Sequence, residues 1–374
     1  MNVAYPDSRF DTDVAAIRGF VDLIKSGFEN PEGIAATVAV RVPEYPDQGV
    51  AVIYGSGAVT IEPLQDNTRA DTRVSIPIAT IHRIFREYEY LDWRDPDIIG
   101  TIQFDGDLGY ANHLAKSCIR PNDWTIARFH SVERLHARMG YAAMSQVDYV
   151  HKPTQRALLD IMDAGRPVIL TGMETVPANG AWTLDTLVER YGDAVVRVRS
   201  ATHRQTMAEF VDELKAFQDN PYDDMIEGFV KPYTEGAALP EEMWADFGPP
   251  FFGREDFIPP QLWLGAVPTH IPTSSLHRDP RTGFLTQVIG TKRLELYSAD
   301  QADLVYPMKA YNNYQPCWFK PETPDFGIYP NAARAHSLSV TLHPGEVLVQ
   351  PAGWFHQVYA MDSPNMSVSY FWLY

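Results

Sequence analysis

Apolar residues at Val14, Ile17, Phe20, Val21, Ile24 and Phe28 recur at the spacing of one helix face, so residues 12–28 read as a helix. The period then changes from about 3.6 to two. ATVAVRV, GVAVIYG and AVTIE are short, β-branched and separated by Pro, Gly and Asp, the pattern of an antiparallel meander. ATIHRIFREY reads as a helix, IGTIQFDGD as a strand and LGYANHLAKSC as a closing helix, which makes residues 1–120 an α+β unit. Residues 121–153 read as a connector with some helix, SVERLHARMGYAAMS included.

From residue 154 helices alternate with strands. TQRALLDIMDAGRPVILTG reads as a helix ended by Gly165 and a buried strand through Val168, Ile169 and Leu170. TLDTLVERYG reads as a short helix with Gly192 as a left-handed cap residue. AVVRVRS alternates as a strand, and Thr206 with Glu209 forms a capping-box pattern ahead of FVDELKAF. Residues 220–260, rich in Pro and aromatics, read as a loop passing over the mouth of the strand-rich segment that follows.

Composition sets outer bounds. A chain of 374 residues exceeds the size of a typical single domain. With 45% hydrophobic and 21% charged residues, both parts can build cores. No apolar run is long enough for a membrane span. The N-terminus lacks a basic start and apolar core, and Cys118 and Cys317 offer neither a disulfide framework nor a zinc pattern, so a cytoplasmic setting is expected. The net charge of -17 repels polyanions and argues against nucleic acid as a partner.

His277 and Asp279 lie two residues apart in SSLHRDPRTGF, and in a strand such residues project together while Arg278 points away. His356 follows a second apolar run in GEVLVQPAGWFHQV. Two imidazoles and a carboxylate converging there would form the facial triad of a non-haem Fe(II) site, with positions left open for ligands. The competing reading is a core or turn histidine, since 11 His among 48 acidic residues make a chance His-x-Asp pair common. Lys292, between two apolar runs, has two readings. It is a buried ammonium facing an anion such as the distal carboxylate of 2-oxoglutarate, or the end of a hairpin turn Gly290-Thr291-Lys292 with a solvated charge. His270, His336 and His343 lack the His-x-Asp partner and the downstream lysine. Trp263, Trp354, Phe355, Phe371 and Trp372 read first as core and second as cavity lining.

The stretch from Gln261 to Tyr374 resembles the JmjC-domain, cupin-like Fe(II)/2-oxoglutarate oxygenases, in particular the small hydroxylase-type members. LWLGAV, LYSADQADLVYP, PGEVLVQPAGWFH and SVSYFW follow in the family's order. The resemblance implies a double-stranded β-helix (jelly-roll) barrel with flanking helices. It implies Fe(II) held by His277, Asp279 and His356, and 2-oxoglutarate held at its far carboxylate by Lys292 and Ser274, the hydroxyl residue three before the first His. The implied reaction hydroxylates an unactivated C–H and releases succinate and CO2. Three positions depart from the family: Gly283 where many relatives carry Asn, Phe229 where they carry an upstream Tyr, and Ser369 or Tyr370 where some carry Asn. Residues 10–120 resemble sterol-carrier-protein-like lipid-binding domains, which implies a site for an apolar or carrier-linked substrate, or else a packing or dimerisation module.

The expectation is therefore an α+β chain with a sterol-carrier-like unit over 1–120, a helical connector over 121–153 and a JmjC/cupin-like oxygenase domain over 154–374. Its substrate is expected to be a small molecule, amino acid or peptide-derived metabolite, with a homodimer left open. The alternatives are a protein side-chain hydroxylase and a non-catalytic metal- or lipid-binding module.

Overall fold

The computed structural model describes residues 10–86, 96–173, 180–198, 203–219, 232–248 and 251–374. Two compact units emerge, residues 1–127 with 307–318, and residues 128–306 with 319–374. In the first, the helix Asp13–Gly27 starts at Thr12, whose side chain accepts from the Ala15 N–H, and buries Ala16, Ile17, Phe20 and Ile24. That is the stripe its periodicity predicts. The sheet contains β1 (Thr37–Arg41), β2 (Val50–Gly55), β3 (Ala58–Pro63), β4 (Thr72–Ser75) and β5 (Gln103–Gly106), in the order β3-β2-β1-β4-β5.

The first three strands form an antiparallel meander, but β1 pairs with β4 in parallel, which requires a crossover instead of a hairpin. The strand expected over IGTIQFDGD is confined to its second half, Gln103–Gly106, because the chain is still turning out of the short helix Pro96–Ile99 as far as Ile102. Helix Leu108–Ala115 is capped by Asp107, which accepts from the Gly109 N–H. Val38, Val40, Val52 and Val74 meet the helix stripe in one apolar core. The segment 307–318, with β15 (Gln315–Pro316), also belongs to this unit.

Residues Asp123–Met139 form a helix of 17 residues. The second unit then lays down β6 (Asp148–His151) and β7 (Val168–Thr171), with helix Gln155–Ala164 between them closed by Gly165 at φ 65°. Helix Leu184–Tyr191 ends differently from expectation. Gly192 is right-handed, at φ -54°, because the chain turns through the Ala194 N–H donating to Tyr191 O. Glycine is still required there, since a Cβ would lie 2.7 Å from Val188 O. A hairpin of β8 (Val195–Arg197) and β9 (Arg204–Thr206) leads into helix Met207–Asp219. The capping box closes that helix start, with Thr206 N–H donating to Glu209 and Glu209 N–H to Thr206 Oγ1. Much of the Pro- and aromatic-rich loop, including 220–231, lies outside the described residues.

The remaining strands are β10 (Ala237–Ala238), β11 (Gln261–Gly265), β12 (Pro272–Arg278), β13 (Gly283–Ile289), β14 (Lys292–Tyr297), β16 (Leu338–Leu342), β17 (Val347–Gln350), β18 (Phe355–Ala360) and β19 (Asn365–Phe371). One sheet runs β10-β11-β19-β13-β17-β7-β6 and the other contains β12-β18-β14-β16. Four strands of each, β11-β19-β13-β17 and β12-β18-β14-β16, make the jelly-roll pairing of a cupin. Met366, Val368 and Tyr370 of β19 join the core shared with Phe210, Val211 and Leu214 of the helix Met207–Asp219. Leu294, Val358 and Leu348, from both sheets, belong to a second core. No helix among the described residues is long and apolar enough to cross a membrane.

Candidate active site

His277 on β12 stands directly opposite His356 on the antiparallel neighbour β18, with ring centroids 4.1 Å apart. Asp279 sits one residue beyond the end of β12, where Pro280 stops the ladder. Its Oδ2 lies 3.9 Å from His277 Nε2 and 3.6 Å from His356 Nε2. One ligand atom from each residue falls within 4.8 Å of the others, the sole such trio found among the described residues. His336 is placed otherwise, with Nε2 3.2 Å from Met144 O.

The imidazoles are oriented alike. His277 Nδ1 lies 2.7 Å from Ser275 O, and His356 Nδ1 lies 3.2 Å from Trp354 O. A carbonyl can only accept, so the His277 Nδ1 carries the proton and its Nε2 keeps its lone pair, the arrangement of a metal-ligating histidine. Burial raises the Asp279 carboxyl pKa against the opposing pull of His277, and burial, then His277, pushes His356 well below its usual range. A divalent cation among these donors would reverse both costs. Two imidazole nitrogens and one carboxylate oxygen fit Fe(II) with open positions.

Lys292 begins β14 and shares an inner face with Leu294 and Leu296, the last paired with His356. It is 2% exposed, which excludes the solvated-turn reading, although Gly290 does make the turn at φ +70°. Its Nζ donates to Ser367 Oγ at 2.5 Å and lies 5.9 Å from the centroid of the Trp263 ring. No carboxylate among the described residues pairs with it. Burial draws its pKa down to about 7. An ammonium in that position is a fit for an anion supplied from outside.

Ser274 reaches the same inner face through a β-bulge. It pairs with Val358 while His277 pairs with His356, so three steps on β12 match two on β18. Gly283 on β13 lies between Gln350 on β17 and Phe371 on β19. Phe229 lies outside the described residues, but Tyr233 is buried with its ring 6.3 Å from Trp263. Trp354 and Phe355 are core residues.

Three further residues at the site escape a reading by motif. Ser367 was detectable in principle, since Asn365, Ser367 and Ser369 alternate with Met366, Val368 and Tyr370 and so mark a polar inner face. Gln350 abuts the imidazole of His356, 2.7 Å from Nδ1. Arg278, between two of the site residues, is buried on the outer side. Its guanidinium donates to Glu133 at 2.8 Å and lies 4.0 Å from the Phe129 ring centroid and 4.6 Å from that of Phe355. That brace holds the strands carrying His277 and His356 from behind.

Residues 154–373 match the family model described as a cupin-like domain, and the chain belongs to that cupin-like, JmjC-type family. Oxygenases of this kind use Fe(II) and 2-oxoglutarate. The chain is 28% identical over 243 residues to Lysine-specific demethylase 8 of Danio rerio, covering 61% of this chain and 58% of that protein. It is 25% identical over 244 residues to tRNA wybutosine-synthesizing protein 5 of Gallus gallus, covering 58% and 74%. With Lysine-specific demethylase 8 of Xenopus tropicalis it is 33% identical over 118 residues, 32% of this chain and 26% of that one. Its matches to the two demethylases thus leave a large part of each outside.

Proposed function

We propose that this chain is an Fe(II)- and 2-oxoglutarate-dependent hydroxylase, with His277, Asp279 and His356 as the metal ligands. The observation that carries the reading is the convergence of those three donors on the same inner face as a buried, carboxylate-free ammonium at Lys292. Iron with 2-oxoglutarate supplies the oxidising chemistry, consuming O2 and releasing succinate and CO2. The protein's part is to bind and orient. Lys292 and Ser367 would hold the far carboxylate, with Ser274 as a further donor and the Trp263 ring, 5.9 Å from Lys292 Nζ, beside it. Because Lys292 has little competing charge nearby, an incoming anion is its natural counterion. The apolar residues beside the site, Leu294 and Val358, keep water away from the reacting centre.

For the substrate we favour a small molecule, amino acid or peptide-derived metabolite, since the net charge of -17 disfavours polyanions. A protein side chain is the second reading, favoured by the relatives named as lysine-specific demethylases. The sterol-carrier-like reading of the first unit stays within this proposal, as a carrier or packing module. Succinate release in the presence of Fe(II), 2-oxoglutarate and O2, screened against amino acids, peptides, lipids and tRNA, tests it. Stimulation by one class, absent in His277→Ala, is expected. Succinate that never exceeds the His277→Ala background would refute the enzyme reading.

A further inference from the structure

Phe371 ends β19 half-buried, and among the described residues it belongs to none of the three apolar cores. Its neighbour Trp372 is placed differently, packed against the Phe252 and Phe257 rings with centroids 4.4 and 5.3 Å away. Alternation along β19 puts Phe371 on the face of Ser367 and Ser369, which is the inner one, since Ser367 Oγ accepts from Lys292 Nζ. What the ring touches there is a glycine. Gly283 stands opposite Phe371 in the β13–β19 register, and a Cβ on it would lie 3.3 Å from the nearest ring carbon, with two more at 3.6 and 3.9 Å. Gly283 also pairs with Gln350, whose carboxamide comes within 2.7 Å of the His356 ring, so Phe371 lies in the cross-strand row that leads to the metal ligands. The facing sheet repeats the spacing. Lys292 and Leu296 are four residues apart on β14, as Ser367 and Phe371 are on β19, and Leu296 pairs with His356. One row therefore holds Lys292 and Ser367, and a second holds His356 and Phe371. The second is the rim, because Leu373 and Tyr374, which follow Phe371, are exposed.

We propose that Phe371 is a specificity-determining residue, an apolar wall that meets the substrate in the row of the metal ligands. The proposal rests on the iron and 2-oxoglutarate reading and deepens it by naming the substrate class, a molecule that brings an uncharged apolar side chain to the site. The co-substrate's far end belongs to the row of Lys292 and Ser367, so what reaches the ring at the rim is the substrate. An aromatic ring outside every core keeps apolar surface for an incoming group to cover, and covering it with another apolar group is favourable. A carboxylate there would face the negative π surface of the ring, and an ammonium would exchange its water for a phenyl face, a poorer partner than an indole. Gly283 is the floor of this wall, since any side chain on it would crowd the ring.

The test uses the anaerobic protein loaded with Fe(II) and 2-oxoglutarate, whose visible band reports a molecule arriving beside the metal. The probes are the N-acetyl amides of leucine, phenylalanine, lysine and glutamate. The leucine and phenylalanine probes should perturb the native band at about tenfold lower concentration than the two charged ones. Phe371→Ala should raise their half-saturation by about tenfold while leaving that of 2-oxoglutarate within about twofold, a split that a merely structural role would not produce. Phe371→Leu keeps an apolar wall and should return the leucine probe to within about threefold of native. Should Phe371→Ala fail to fold, Gly283→Ala displaces the ring without removing it and should weaken the apolar probes by about threefold. Equal half-saturation by the apolar probes in the native protein and these variants would overturn the inference. So would a native preference for a charged probe, or a native band that no probe perturbs. A native protein with no band at all would instead overturn the metal reading beneath it.

Discussion

Two charged groups, Asp13 in the first unit and Lys292 in the second, are handled in opposite ways. In the first, Asp13 accepts from Tyr45 at 2.5 Å and meets His82 Nε2 at 3.0 Å, so the groups satisfy one another. The Asp13 carboxyl pKa is accordingly lowered by its partners, against the opposing effect of burial. In the second, Lys292 has a neutral hydroxyl and an indole face for company. A buried charge that its own fold neutralises is a structural device, whereas one left for something else to neutralise marks a site. The same contrast recurs around β12. His277 on its inner side waits for a ligand, and Arg278 on its outer side is closed by Glu133.

The contrast is broken most strongly at Lys292. Lys292→Met should raise the concentration of 2-oxoglutarate needed for half-saturation by about a hundredfold, as expected for truncating one partner of a buried charge pair. The same variant should unfold at a higher temperature than the native protein when no co-substrate is present, because an uncompensated buried charge has been removed. A lower unfolding temperature with ordinary co-substrate affinity would make Lys292 structural. Arg278→Ala should behave oppositely, losing about 3 kcal/mol of stability in urea unfolding through its stranded acid and lost ring contacts. Asp13→Ala, which leaves His82 buried without that partner, should cost about 1–3 kcal/mol with no change in co-substrate affinity.

The contrast can also be read in pH dependence. The Lys292 pKa lies near 7 in the folded chain and at 10.5 in the unfolded reference. Between those values the unfolded chain binds a proton that the folded chain does not, so stability without ligand rises with pH across that window, by up to about 1.4 kcal/mol per pH unit. Lys292→Met should flatten that slope, measured as unfolding midpoint against pH.

Much of this was legible in the chain because strand geometry is simple. Two residues apart on one strand means one face, which is why His277 and Asp279 could be paired on sight. The capping box at Thr206 and Glu209 and the stripe of the first helix are equally local. What escaped depends on distance or on irregularity. The bulge that turns Ser274 inward breaks the period-two rule, and no pattern announces it. Arg278 and Glu133 are far apart in sequence, as are Lys292 and Ser367, so their pairing exists only in the fold. Gly192 was misread because glycine after a helix usually signals a left-handed cap, while here it avoids Val188 O. Gly283 looked like a missing side chain, and a Cβ there would meet the Phe371 ring.

The most direct measurement is anaerobic addition of Fe(II) and then 2-oxoglutarate to the metal-free protein, followed by visible absorption. A saturable metal-to-ligand charge-transfer band is expected in the native protein, lost in Asp279→Ala and shifted to higher 2-oxoglutarate concentration in Lys292→Met. A native protein that stays colourless, or an Asp279→Ala variant that keeps the band, would contradict the account.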